Sequence, residues 1–133
     1  MLQDLGLDVS TARNGQEALD QFKKSKLYTF DYIFMDIMMP IKNGLEATRE
    51  IRVLPRRDAK SVHILAMSAN AFESDIQECL KAGMDGHIAK PITIELLKEN
   101  LNFFVDIQIE MCGLLSFLII GQLFIGICFW RYL

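Results

Sequence analysis

The sequence predicts an α/β fold in which helices cover both faces of a parallel sheet. Three observations lead to this prediction. Short apolar segments with strand character alternate along the chain with segments whose apolar residues recur at helical spacing. The segment from Tyr32 to Asp36 is almost continuously apolar, as strands covered on both faces are. Three strand segments also lead directly into a polar residue, namely Asp36, Ser68 and Lys90.

The first half of the chain contains two predicted strands and three helical segments. Leu2 to Gly6 resembles the last turn of a helix that ends at glycine. Leu7 to Thr11 alternates apolar and polar residues, as a short strand does, and Tyr32 to Asp36 is the second strand. Asn14-Gly15 is a turn signal before a helix. The residues that mark this helix and the next are Ala18, Leu19 and Phe22, then Leu45, Ala47, Thr48 and Ile51.

The second half of the chain repeats the alternation. Val62 to Met67 is an apolar strand segment, and Gly86 to Ala89 is a shorter one that runs directly into Lys90 and Pro91. Thr93 stands where the side chain of a helix N-cap is expected. The apolar residues that mark the two helices are Phe72, Ile76, Cys79 and Leu80, then Ile94, Leu96, Leu97 and Leu101.

Composition excludes several classes of protein. The formal net charge of −3 argues against a nucleic-acid-binding surface. Cys79, Cys112 and Cys128 are widely spaced, which fits neither a disulfide framework nor a CxxC metal site. The first ten residues lack the basic and apolar regions of a signal peptide. A cytoplasmic location is therefore expected for the α/β part.

The polar residues at the strand ends predict a phosphoryl-binding site. The carboxyl ends of parallel strands meet at one edge of the sheet, which is where open α/β sheets bind ligands. Asp36, Ser68 and Lys90 would place a carboxylate, a hydroxyl and an ammonium group there. A carboxylate oxygen can attack phosphorus and form an acyl phosphate. The lysine and the hydroxyl can then bind the phosphoryl oxygens.

Three segments carry a resemblance to a known family; they read MDIMMPIKNGLEATREIR, ILAMSANAF and AGMDGHIAKPI. They closely resemble the receiver (response regulator) domain of two-component signalling, and the resemblance extends from about Leu2 to Phe104. The second and third segments look most like receivers fused to hybrid sensor histidine kinases. The resemblance implies a flavodoxin-like, doubly wound sheet. It also implies partners, namely a histidine kinase or a phosphotransfer domain.

The resemblance implies a role for each site residue. Asp36 is implied to be the phosphoacceptor, with Lys90 pairing with it and with the phosphoryl group. Ser68 is implied to be the switch hydroxyl, and Ala69 lies beside it in the phosphoryl-binding segment. His87 stands where the family usually carries an aromatic switch residue; the alternative, a partly buried ring that does not titrate, stays open.

The resemblance also implies a cofactor and a backbone feature. Mg²⁺ would be held by Asp36 and by the backbone carbonyl of Met38, and Pro91 would follow a cis peptide bond. The family usually adds a pair of acidic residues at the end of a preceding strand. No such strand precedes Leu7 in this sequence, and Asp4 and Asp8 do not replace the pair. Mg²⁺ binding is therefore expected to be weak or lost.

The resemblance to the receiver family also predicts a gap in the sheet. In the strand order 2-1-3-4-5 of this fold, the first strand is central. The chain is therefore expected to be an N-terminally truncated receiver domain over residues 1–105, lacking its first strand. Leu7 to Thr11 and Tyr32 to Asp36 would then be left with unpaired backbone groups. Lys42-Asn43 stands where the family often has an apolar residue and aspartate, which we interpret as a tolerated turn variation.

A hydrophobic tail occupies residues 106–133. Met111 to Trp130 contains no charged residue and is long enough for a helix to cross a bilayer. We therefore expect a C-terminal hydrophobic helix over residues 111–130, which would associate the chain with a membrane. Two alternatives stay open: a segment translated from a broken or frameshifted gene, and an apolar segment that covers the surface exposed by the missing strand.

Three hypotheses for function follow. The leading one is a phosphoacceptor receiver domain that takes a phosphoryl group from phosphohistidine onto Asp36, in a fragment of a hybrid histidine kinase or response regulator. No catalytic activity beyond self-phosphorylation is expected of this chain. A membrane-anchored interaction module that is not phosphorylated is the second. The third is a phosphohydrolase of the acyl-phosphate type, but Met38 stands where such enzymes place an aspartate.

Overall fold

A computed structural model describes residues 7–100 and 127–132 of the chain. Strands, α-helices and one short 3₁₀ helix follow one another in an order close to the one that the sequence predicts. The strands are β1 (Leu7–Ala12), β2 (Tyr32–Asp36), β3 (His63–Ser68), β4 (Gly86–Ala89) and β5 (Ile127–Tyr132). The helices are α1 (Gly15–Lys24), α2 (Gly44–Arg52), α3 (Glu73–Ala82) and α4 (Ile94–Asn100), and Arg57–Ala59 forms the 3₁₀ helix between α2 and β3.

The described strands form one sheet in the order β1-β5-β2-β3-β4. Strands β2, β3 and β4 are parallel, whereas β5 runs antiparallel to both of its neighbours, β1 and β2. The doubly wound α/β class is therefore confirmed. The predicted parallel sheet is confirmed for β2, β3 and β4, whereas β5 lies in a segment that was not predicted as a strand.

The predicted gap between β1 and β2 is filled. Leu7 of β1 pairs with Tyr132 and Ala12 with Ile127. On the other side of β5, Tyr32 pairs with Trp130. The expectation that β1 and β2 would keep unpaired backbone groups is therefore wrong. The physical reason is that buried amide and carbonyl groups are costly without partners, and an extended apolar segment supplies those partners.

The predicted hydrophobic helix is wrong over residues 127–130. These residues belong to β5, which is extended. Residues 111–126 of that prediction, and the helix end predicted at Leu2 to Gly6, lie outside the described residues. Within residues 7–100 and 127–132, no helix is long and apolar enough to cross a membrane. A run of apolar residues indicates that the segment is buried. The centre of a sheet can bury such a segment as well as a membrane can.

Alternating residues of the central strands supply two cores, one on each face of the sheet. Ile33, Met35 and Ile64 belong to one core, while Phe34 and Leu65 belong to the other. The first core also takes the apolar residues of α1 and α2, which are Ala18, Leu19 and Phe22, and Ala47 and Ile51. The second takes Ile92 and, from α4, Leu97. The sheet is thus covered on both faces. The candidate site lies at the edge of the sheet where the carboxyl ends of the parallel strands meet.

Polar side chains fix where the helices begin. The Asn14 side chain accepts a hydrogen bond from the Glu17 amide at the start of α1. At the start of α2, Asn43 and Glu46 exchange side-chain and backbone hydrogen bonds as a capping box. Asn43 therefore has a defined structural role in the turn that departs from the family pattern. Gly83, in the left-handed conformation at φ 101°, ends α3.

Candidate functional site

The three polar residues predicted at strand ends lie at one edge of the sheet. Asp36 is the last residue of β2, Ser68 is the last residue of β3, and Lys90 directly follows β4. Asp36 and Ser68 are buried, with 6% and 8% of their surfaces exposed, and Lys90 is half-buried. Because β2, β3 and β4 are adjacent and parallel, their carboxyl ends bring these residues together.

Asp36 and Lys90 form an ion pair. The Lys90 Nζ lies 2.5 Å from Asp36 Oδ2, and it donates a hydrogen bond to that oxygen. The second carboxylate oxygen, Oδ1, accepts a hydrogen bond from the Met38 amide at 3.0 Å. A single carboxylate is thus oriented by a cation on one oxygen and a backbone donor on the other. Such charge-assisted hydrogen bonds are the stronger kind.

The loop after β2 returns tightly beneath Asp36. The Ile37 amide donates to the Met67 carbonyl, and the Gly44 amide donates to the Ile37 carbonyl, each at 3.1 Å. A Cβ atom at position 44 would lie 2.3 Å from the Asp36 carbonyl oxygen. Glycine is therefore required at the start of α2, because only glycine lets the helix approach the strand end this closely.

Ser68 makes different contacts from Asp36 and Lys90. Its hydroxyl donates to the Asn70 carbonyl and lies 2.6 Å from the His87 Nε2 atom. Its backbone carbonyl accepts a hydrogen bond from the Lys90 amide at 2.8 Å, which ties the ends of β3 and β4 together. Within the described residues, the Ser68 side chain shares no hydrogen bond with Asp36 or Lys90.

The remaining predicted residues surround these three. Ala69 follows Ser68 and is exposed, and the Lys90–Pro91 peptide bond is cis. The side chain of Met38 is 83% exposed, so it does not pack into the core. His87 is half-buried on β4 beside Ser68.

Sequence reasoning missed two backbone groups of the site. The first is the Met38 amide, which binds Asp36, whereas the sequence had suggested only the Met38 carbonyl. The second is the Asn70 carbonyl, which binds the Ser68 hydroxyl. Every residue has a backbone carbonyl, and every residue except proline has a backbone N–H, so residue type gave no signal for either contact. Both depend on the loop conformations that follow β2 and β3.

In the described part of the chain, too few ligands lie around Asp36 to form a complete magnesium site. Mg²⁺ prefers six oxygen ligands and is commonly held by one or two carboxylates with several water molecules. Within residues 7–100 and 127–132, no three His, Cys, Asp or Glu side chains are grouped so that they could hold a metal ion. Both oxygens of Asp36 already accept hydrogen bonds.

A family model described as the response regulator receiver domain matches residues 1–102. The chain belongs to the response regulator receiver family. The match includes the three strand ends that carry Asp36, Ser68 and Lys90. The order of β2, β3 and β4, with Asp36, Ser68 and Lys90 at their carboxyl ends, agrees with that assignment.

This receiver is similar to the receiver domains of known histidine kinases. The hybrid signal transduction histidine kinase I of Dictyostelium discoideum is 38% identical over 112 residues, which cover 83% of this chain. The receiver domain of a sensor histidine kinase from Pseudomonas aeruginosa PAO1, whose structure contains a magnesium ion in the active-site cleft, is 33% identical. Its TM-score is 0.66, and the match covers 79% of this chain and 82% of that one.

A chemotaxis protein is a second structural relative. CheY4 of Vibrio cholerae is 33% identical with a TM-score of 0.67, over 75% of this chain and 79% of that one.

The histidine kinases are much longer than this chain, and the match covers only 6% of the Dictyostelium kinase. This chain therefore spans only a small part of the length of that kinase.

Proposed function

We propose that this receiver domain accepts a phosphoryl group on Asp36 from a phosphohistidine of a histidine kinase or phosphotransfer domain. The ion pair between Asp36 and Lys90, 2.5 Å between Oδ2 and Nζ, is the observation that carries the proposal. It orients a buried carboxylate at the edge of the sheet, where a second protein can reach it.

The transfer exchanges one bond to phosphorus for another. An oxygen of the Asp36 carboxylate attacks the phosphorus atom, and the bond between phosphorus and the imidazole nitrogen breaks. The electron pair of that bond stays on the imidazole nitrogen of the donor. The product is an acyl phosphate on Asp36. Later attack by water releases inorganic phosphate and restores the carboxylate.

Lys90 and Ser68 bind the transferred group in this proposal. When the attacking oxygen becomes part of the acyl phosphate, the carboxylate loses its charge and the phosphoryl oxygens bring new negative charge. The ammonium group of Lys90 can follow that charge, because its flexible stem carries three rotatable donors. The hydroxyl of Ser68 and the backbone of Ala69 supply further hydrogen bonds.

Mg²⁺ is the proposed cofactor, and it would supply charge neutralisation for the phosphoryl oxygens. We propose that Asp36 and the Met38 carbonyl contribute to its binding. Since the described residues fall short of a complete ligand set, we expect weak binding. The proposed partners are proteins with phosphohistidine, and no nucleic acid is among them.

The proposal is tested by phosphorylation of the full chain. The chain is incubated with phosphoramidate and Mg²⁺, and the intact mass is then measured. We expect the mass of one phosphoryl group to be added, and Asp36→Asn to abolish the addition. Asp8→Asn serves as the matched control, since Asp8 is an exposed acid on β1. Equal labelling of the Asp36→Asn variant and the original chain would refute Asp36 as acceptor.

A further inference from the structure

The Ser68 hydroxyl has two hydrogen-bond partners but only one proton to donate. Its oxygen donates to the Asn70 carbonyl and lies 2.6 Å from the His87 Nε2 atom. A carbonyl oxygen accepts hydrogen bonds and cannot donate them. The proton of the hydroxyl must therefore point towards Asn70, and the lone pairs of the oxygen face the imidazole ring.

This arrangement assigns the proton on the His87 ring. If Nε2 carried no proton, it would need the proton of Ser68, and the serine oxygen would then face the Asn70 carbonyl oxygen with no hydrogen between them. With a proton on Nε2, both contacts are hydrogen bonds: His87 donates to Ser68, and Ser68 donates to Asn70. The second arrangement gives the imidazole Nε2, the serine hydroxyl and the Asn70 carbonyl a hydrogen bond each, as is usual for a buried polar group such as the Ser68 hydroxyl.

We propose that His87 is a positioning residue whose Nε2–H fixes the direction of the Ser68 hydroxyl. This inference rests on the proposed function of Asp36. Before phosphorylation, the serine proton is bound by the Asn70 carbonyl. A phosphoryl group on Asp36 competes with that carbonyl for the same proton, and His87 continues to donate to the serine oxygen in either state.

The hydrogen bond from His87 favours the phosphorylated state. Donation to the serine oxygen polarises its O–H bond and makes that O–H a better donor. The resulting gain in hydrogen-bond strength is larger when the acceptor is a charged phosphoryl oxygen than when it is a neutral carbonyl, because hydrogen bonds to ionised acceptors are stronger.

The first experiment measures the histidine proton directly. Nitrogen-15 NMR of the full chain, labelled at histidine, reports which ring nitrogen carries the proton and how fast that proton exchanges with water. His63 is the only other histidine in the sequence, and His63→Gln assigns the signals. We expect a proton on Nε2 of His87 that exchanges slowly, and that exchanges faster in Ser68→Ala. A ring protonated only on Nδ1, or exchange that Ser68→Ala does not change, would overturn the assignment.

The second experiment separates a hydrogen bond from packing. His87→Gln keeps an N–H donor near the position of Nε2, whereas His87→Phe keeps an aromatic ring without a donor. With phosphoramidate and Mg²⁺, we expect the labelled fraction to fall about two- to fivefold in His87→Phe and to stay near the original in His87→Gln. If the ring served only for packing, the phenylalanine variant would be the better one.

A combined variant tests whether His87 acts through Ser68. Ser68→Ala should lower labelling about tenfold, because it removes a hydrogen bond to a charged acceptor. His87→Phe added to Ser68→Ala should cause no further loss, and an independent further loss would contradict the proposal. If the original chain takes no label at all, the proposed function fails, and proton exchange alone then decides the His87–Ser68 bond.

Discussion

Two arginines tie the chain together at the ends of helices, away from the phosphoacceptor. The guanidinium of Arg56 donates to the carbonyls at the end of α1, lies 4.6 Å over the ring of Phe22, and pairs with Asp58 at 2.8 Å.

Arg52 donates to the Gly83, Ala59 and Val62 carbonyls and pairs with Asp85. Each arginine thus binds several backbone carbonyls, some of them at helix ends, where carbonyls lack partners within the helix.

Replacing Arg56 by lysine should destabilise the domain. Lysine keeps the charge but cannot reach several carbonyls and the Asp58 carboxylate at once, since its ammonium group is compact. We expect the free energy of unfolding to fall by about 2 kcal/mol, measured by urea denaturation. Arg57→Lys is the matched control, because Arg57 is exposed, and it should change stability by less than about 0.5 kcal/mol. Equal effects of the two variants would contradict the role of Arg56.

Asp58 should make stability depend on pH in acid. Burial raises the pKa of its carboxyl, but hydrogen bonds from Arg56 and from the Tyr28 amide outweigh burial, so the pKa lies below its ordinary value of 3.8. The folded state therefore favours the ionised form. The resulting stabilisation is complete above the unfolded pKa of 3.8 and is lost as the pH falls towards the folded pKa.

The variant Asp58→Asn isolates this contribution. Its free energy of unfolding should lie below that of the original chain at pH 7, because the charged pair with Arg56 is lost. The difference between the two chains should shrink as the pH falls below 3.8. Urea denaturation across this range measures the difference. A constant difference at every pH would show that the pKa of Asp58 is not lowered by folding.

At the scale of single elements, the close approach of α2 to the end of β2 shapes the site. Gly44→Ala would place a Cβ 2.3 Å from the Asp36 carbonyl oxygen and 2.9 Å from Met35 Cγ. The backbone must move to relieve the first contact, so we expect a loss of about 1–3 kcal/mol in unfolding free energy and reduced labelling of Asp36. Urea denaturation and intact mass measure the two effects.

Gly86→Ala is the matched control for this variant. Among the residues that the structure describes, its Cβ would meet only the Leu65 Cδ2 atom, at 2.9 Å, and that atom is the far end of a flexible side chain. A small rotation of Leu65 should relieve the contact, so labelling of Asp36 should stay unchanged. If Gly86→Ala impaired labelling as strongly as Gly44→Ala, the tight turn beneath Asp36 would not be the cause.

Most helices and strands could be predicted from the sequence, because their hydrophobic periodicity and capping residues lie within the element itself. Strand ends identified Asp36, Ser68 and Lys90, because a strand that is almost wholly apolar makes its first polar residue conspicuous. The Asn70 carbonyl could not be predicted, since its position depends on the path of a loop. The helix predicted over residues 111–130 was wrong at 127–130, because hydropathy reports burial and does not distinguish a membrane from the centre of a sheet.

At the scale of the whole molecule, β5 joins β1 to the rest of the sheet. Strand β1 pairs with β5 along its full length, from Leu7 to Ala12, and β5 pairs with β2. Removing this link would expose a long edge on both neighbours, and such edges promote aggregation. The antiparallel direction also places the first residue of β5, Ile127, opposite the last residue of β1, at the same edge of the sheet as Asp36.

The role of β5 can be tested by removing one amide from it. Phe129 lies opposite both Ser10 and Ile33, so its backbone is flanked by strands on each side. In such a strand each amide donates to one neighbour or the other, and proline has no amide hydrogen to donate. Phe129→Pro should therefore lower the free energy of unfolding by about 3 kcal/mol or more and increase hydrogen exchange in β1 and β2.

Phe129→Leu controls for the change of side chain, because leucine keeps the backbone amide. Hydrogen exchange read by mass spectrometry localises the effect. If β5 pairs as the structure shows, the proline variant loses protection in β1 and β2 while the leucine variant keeps it. Unchanged protection of β1 in Phe129→Pro would show that β1 does not depend on β5, and would require another partner for the edge of β2.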